Sequence, residues 1–224
     1  MTMVRQAILS KRTRVIRETW QPPEIPVYRD RIGKEIMLVE AILIDSPAKL
    51  LVSLLSETDH SKKIHLISGT SGAGKTLWCR QLFHEARSQG LDVKGLVSLP
   101  VYEHNLKVGI NLQDLESGSI NPLGAKNHSE DNLISIGGWK LDSNTLEWGN
   151  RILANIQSCQ ILIIDELGPL EFNENSGLTK SFELLESGQY SIAFVVVRTG
   201  LIPKALTKWP SAEIHFIPDR EKLT

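Results

Sequence analysis

The chain has 224 residues, 41% of them hydrophobic, which suffices for one large domain with a smaller appendage. Its formal net charge of −1 excludes an overall field that would draw it to nucleic acid or to an anionic membrane. Two cysteines, Cys79 and Cys159, make neither a disulfide framework nor a metal-site spacing.

Residues 1–30 are basic, with Arg5, Lys11, Arg12, Arg14 and Arg17, and Pro22, Pro23 and Pro26 break any helix after Trp20. They read as a solvated or partly disordered leader, or as an arm, anchored by Trp20, Ile25, Val27 and Tyr28, that docks on a protein partner or on the main domain. No small-residue cleavage site follows a long apolar run, so the expected setting is the cytoplasm. Glu35 to Ile44 has the composition of a strand or a short buried helix, and Glu40 interrupts its apolar run far below membrane-spanning length. Ser46 and Pro47 suit the N-cap and first position of a helix whose apolar stripe is Leu50, Leu51, Leu54 and Leu55. Ser56 to Lys63 is polar and reads as a linker. The expected organisation is an extension over residues 1–62 and a main domain over 63–224.

Ile64 to Ser68 is a short apolar run suited to a buried strand. Gly69 to Thr76 then reads GTSGAGKT, which fits G-x-x-x-x-G-K-[ST], the loop that cradles a nucleoside triphosphate. Gly69, Thr70, Ser71, Gly72, Ala73 and Gly74 would supply backbone N–H groups, Lys75 would reach the β- and γ-phosphates, and the Thr76 hydroxyl would hold Mg²⁺. A helix follows, with Cys79, Leu82, Phe83 and Ala86 on its apolar face and Gly90 as its stop. Val93 to Leu99 reads as a second strand. Lys107 to Leu115 alternates as a half-exposed strand and, with residues near Ile120 and Leu133 to Ile136, predicts a small antiparallel insertion. Asp142 suits the cap of a helix burying Leu146, Gly149, Leu153 and Ile156.

Gln160 to Glu166 (QILIIDE) reads as a central parallel strand buried on both faces, ending in Asp165 and Glu166. An acid at such a strand end holds Mg²⁺ in phosphate-loop proteins, and a second carboxylate beside it can orient the attacking water. Leu178, Phe182 and Leu185 define a further helix ending near Gly188. Ser191 to Val197 is another buried strand, with Arg198 at its C-terminal end, where it either stabilises γ-phosphate charge or makes an ordinary ion pair. Pro203 to Trp209 suits a short helix and Glu213 to Ile217 a last strand. The six histidines are scattered without ligand spacing.

From about Lys63 to Leu223 the chain resembles the nucleoside-triphosphatase family typified by a thermophile enzyme and a cancer-related nucleoside triphosphatase. The matching stretches are Gly69–Thr76, the D-E-L-G-P-L-E signature at Asp165–Glu171, Gly138-Trp139 and the ending Asp219–Leu223. The resemblance implies a three-layer α/β/α, RecA-like fold with a mostly parallel sheet, and Mg²⁺-dependent hydrolysis of ATP, GTP or other NTPs. It assigns Lys75 and Thr76 to phosphate and metal, Asp165 to the metal and Glu166 to catalysis. Two elements depart from the pattern. Ser98-Leu99-Pro100-Val101-Tyr102 stands where T-x-E-V-R is usual, and Lys107 replaces an Arg, a change that loses any bidentate grip. Two other readings stay open: a small-molecule or nucleotide kinase, and an NTP-dependent switch working through a partner.

Overall fold

The computed structural model describes residues 46–56, 63–125, 133–136 and 138–217, together with strand residues 28–29, 35–36 and 42–43. Residues 1–27 of the basic leader, residues 57–62 of the linker and the Asp219–Leu223 match lie outside the described residues. The chain divides into units of residues 1–38 and 39–224. In the first, β1 (Tyr28–Arg29) pairs antiparallel with β2 (Glu35–Ile36). In the second, β3 (Ile42–Leu43) pairs with the last strand of a large sheet. The Glu35–Ile44 stretch thus contributes strands to both units.

Helix α1 (Pro47–Leu55) starts with Ser46 in extended N-cap geometry and Pro47 in the first turn, although the Ser46 side chain makes no cap hydrogen bond. Leu51 and Leu54 are buried and Leu50 packs against the same core, while Leu55 lies off that stripe and is exposed. Strand β4 (Lys63–Ser68) leads through the glycine-rich loop into α2 (Lys75–Ser88). Gly90 closes α2 in a left-handed conformation, with its own N–H bonded to Arg87 O and that of Leu91 to Ala86 O. Then come β5 (Val93–Glu103), β6 (Leu106–Asp114), β7 (Ile120–Ala125), β8 (Leu133–Ile136) and β9 (Trp139–Asp142). Helix α3 (Ser143–Asn155) is capped by Asp142, which accepts the Thr145 N–H at 2.7 Å. The remainder is β10 (Cys159–Leu167), α4 (Pro169–Asn173), α5 (Lys180–Ser187), β11 (Tyr190–Val197), α6 (Ile202–Lys208) and β12 (Glu213–Phe216).

The sheet order is β3-β12-β4-β11-β10-β5-β6-β7-β9-β8. Pairing is parallel from β3 through β5 and antiparallel beyond. The antiparallel segment is a continuation of the main sheet. Strand β5 joins the two parts: Val93–Val97 pair parallel with β10, and Leu96–Glu103 pair antiparallel with β6. Strand β10 is apolar on both faces because it is central, with Ile161 to Ile164 at most 1% exposed. One face packs Ile67, Val97, Ile163 and Val196 under α1 and α2. The opposite face meets α3, where Gly149 lets the helix approach; a Cβ there would sit 2.8 Å from Leu112 and 3.2 Å from Leu96. These are the three layers expected from the alternation of strands and helices.

Candidate active site

Parallel pairing puts the C-terminal ends of β4, β11 and β10 along one edge of the sheet, the edge where open α/β folds bind ligands. Strand β11 separates the phosphate-loop strand from the acid-bearing strand, a span of about 10 Å at two strand spacings. Register aligns their ends: Val196 pairs with Ile67 on one side, and Asp165 and Glu166 fall in the irregularity between Ile164 and Leu167 on the other. The Asp165–Glu166 peptide is cis.

The loop is shaped at both ends. Gly74, at φ 95°, is the N-cap of α2, and its carbonyl accepts the Trp78 N–H at 2.9 Å. Gly69 takes φ 154°, and a Cβ there would come within 2.7 Å of Ile217 O, beside the bond from Ile217 N–H to Ser68 O. Ser68 Oγ donates to Val197 O at 3.0 Å, fastening the end of β4 to the end of β11.

Lys75 lies at the first position of α2. Its Nζ donates to Gly69 O at 3.0 Å and Thr70 O at 2.9 Å, which uses two of its three donors. Burial lowers its pKa; Glu166 and Asp165 pull the other way, and Arg198 adds to the lowering. The ammonium therefore stands in the field of both acids and the guanidinium.

Asp165 is 1% exposed, and its Oδ2 has no hydrogen-bond partner. Burial pushes its carboxyl up to about 7; a hydrogen bond from the Thr76 side chain opposes the shift, and neighbouring Glu166 reinforces it. The Ser98 hydroxyl donates to the Asp165 carbonyl at 2.6 Å. Glu166 is half-buried, and its Oε1 accepts from Arg198 Nε at 2.6 Å. A buried carboxylate with an unused oxygen, linked to a loop hydroxyl, has the hard oxygen-donor chemistry that suits Mg²⁺.

The structure thus brings together Lys75, Thr76, Asp165, Glu166 and Arg198. It also gives roles to residues that sequence reasoning left without one. Glu171 closes the signature as a structural staple. Its carboxylate accepts Gly168 N–H at 2.8 Å and Leu178 N–H at 2.9 Å while buried, and burial raises its pKa. Ser98 belongs to the departing element yet anchors the backbone of the acid pair. The signal was its place at the end of a buried run, level with the acids. Lys107, an alternative cation for the site, stands 5.1 Å from the Trp139 ring centre on the antiparallel wing. Tyr102 is exposed on the same wing.

A glycine-rich loop between strand and helix, faced by an acid pair from a second parallel strand, defines a phosphate-loop α/β protein. Residues 64–216 match the family model described as NTPase, and the chain belongs to that family. A similar curated protein is the nucleoside-triphosphatase THEP1 of Caldivirga maquilingensis, 25% identical over 130 residues that cover 58% of this chain and 73% of the relative. The THEP1 of Ignicoccus hospitalis is 33% identical over 105 residues, 47% of this chain and 58% of the relative. A human cancer-related nucleoside triphosphatase shares the fold at a TM-score of 0.56 and 18% identity, over 72% of this chain and 92% of that one. Among the described residues no helix is long and apolar enough to cross a membrane.

Proposed function

We propose that the protein hydrolyses nucleoside triphosphates to the diphosphate and phosphate, with ATP or GTP held by Gly69–Thr76. The observation that carries this reading is the meeting of Lys75, Asp165, Glu166 and Arg198 at one sheet edge. Loop amides and the Lys75 ammonium bind the phosphate oxygens, and most of the rate would come from positioning and preorganised charge. Thr76 and Asp165 would hold Mg²⁺, which supplies charge neutralisation on the triphosphate. Glu166 orients a water for in-line attack and accepts its proton. Arg198 shares its guanidinium between Glu166 and the oxygens of the transferring group. A cytoplasmic setting fits this reading.

A second reading, a slow switch acting through a partner, is favoured by the Arg198–Glu166 ion pair, which occupies one oxygen of the carboxylate that would position the water. The N-terminal extension is the proposed contact arm. Phosphate release by the purified protein against a panel of NTPs with Mg²⁺ tests the reading. Release without an added acceptor supports hydrolysis over a kinase. Tight nucleotide binding with turnover only after a partner is added supports the switch. Full turnover by Glu166→Gln would overturn the assigned mechanism.

A further inference from the structure

Midway along β4, before the phosphate loop, β4 and β12 lie side by side, with Glu213 opposite His65 and His215 opposite Ile67. The three polar side chains share one face. Both imidazoles are 0% exposed, whereas the Glu213 side chain is 47% exposed. His65 Nδ1 lies 2.8 Å from His215 Nε2, and Glu213 Oε2 lies 3.6 and 3.8 Å from those two nitrogens. A point about 2.0 Å from all three atoms exists within that triangle, the bonding distance of zinc to imidazole nitrogen and carboxylate oxygen.

A hydrogen bond can join the two rings while the site is empty, and it leaves the Glu213 carboxylate unused. Two neutral imidazoles carry two N–H groups, and one of them serves the mutual bond. The other must sit on His65 Nε2 or His215 Nδ1, and both atoms are buried without a partner. The Glu213 carboxylate also stands outside hydrogen-bond distance of either ring nitrogen. Three donors converge, and proton sharing leaves the third unused.

We propose that His65 Nδ1, His215 Nε2 and Glu213 Oε2 form a binding site for a zinc-class divalent ion, which clips β12 to β4. Two imidazoles and one carboxylate suit Zn²⁺ or Co²⁺ better than Mg²⁺, and the fourth position opens to water on the Glu213 side. The outer ring nitrogens lack acceptors, which lowers affinity by about 10- to 100-fold relative to sites with such partners. The field of Lys63 acts in the same direction. Binding is therefore expected to be weaker than in a zinc site whose imidazoles have outer partners. The site is separate from the nucleotide chemistry and does not depend on it.

The test is Co²⁺ titration of untagged, chelator-treated, nucleotide-free protein, read by visible absorption. The expected result is one equivalent of four- or five-coordinate cobalt, displaced by Zn²⁺, with Zn²⁺ raising the thermal midpoint. Glu213→Gln alters a half-exposed side chain, so it keeps the fold; it should weaken cobalt binding at least about tenfold. His215→Asn, checked by circular dichroism, should lose the bands, and Asp165→Asn should keep them. Unchanged affinity in Glu213→Gln would overturn the site. So would bands that disappear in Asp165→Asn, or no bands at millimolar Co²⁺.

Discussion

Arg198 donates its Nε to Oε1 of Glu166 at 2.6 Å, from a guanidinium side chain that is 61% exposed. This links the residue at the end of β11 to the acid at the end of β10, across the strand boundary that faces the phosphate loop. Exposure limits what the pair adds to stability, about 0–1 kcal/mol. Arg198→Ala is therefore expected to melt like the native protein and to bind nucleotide within a few-fold, while kcat falls at least about 10²-fold. Steady-state kinetics with calorimetric Kd values checks it. A kcat that rises would assign Arg198 to restraining Glu166 instead.

Lys75→Ala removes the ammonium from the first position of α2. Nucleotide affinity should fall beyond measurement in a fluorescent-analogue titration, with the fold intact by circular dichroism. Equal affinity would remove the loop from the binding site.

Asp165→Asn separates stability from activity. Burial holds the Asp165 carboxyl at about 7 against an ordinary 3.8, so the folded state keeps a proton that the unfolded chain has already lost. Ionised Asp165 is thus destabilising: the cost is absent below about pH 4, grows through pH 7 and is complete above, on the order of 4 kcal/mol. Without divalent ions at pH 8 the variant should melt about 5 °C or more above the native protein. The gap should close toward pH 4, and phosphate release should be lost. A constant difference at both pH values would contradict the assigned cause.

Glu171→Ala leaves the Gly168 and Leu178 N–H groups buried without their acceptor. The expected loss is about 2–4 kcal/mol in chemical denaturation, since each orphaned donor costs about 1–3 kcal/mol and the buried carboxylate's own cost is relieved. Gly177→Ala should behave similarly, because its Cβ would collide with the same carboxylate. A melting curve unchanged in both variants would remove the staple.

Local chemistry was legible in the sequence and distant pairing was not. The phosphate loop spans eight consecutive residues, and QILIIDE announces a central strand by having no polar face. The caps at Asp142 and Gly90 follow from one residue each. In contrast, β5 pairs parallel with β10 along one edge and antiparallel with β6 along the other, with no change in composition to mark it. Likewise β3 pairs with β12, far along the chain, and no local pattern in Glu35–Ile44 points to that partner. His65 and His215 are 150 residues apart and meet only because β12 inserts beside β4. Glu171 looked like one more acid of the signature, since side-chain bonds to turn amides leave no periodic trace.

The close approach of Ile217 to Gly69 has a consequence for the newborn chain. On the ribosome, residues 69–76 emerge long before the strand that braces them. Until residue 217 has cleared the exit tunnel, the loop lacks the neighbour against which its first glycine is set. Capture of nucleotide should accordingly mature only after residue 217 has emerged, which a series of stalled nascent chains of increasing length would reveal.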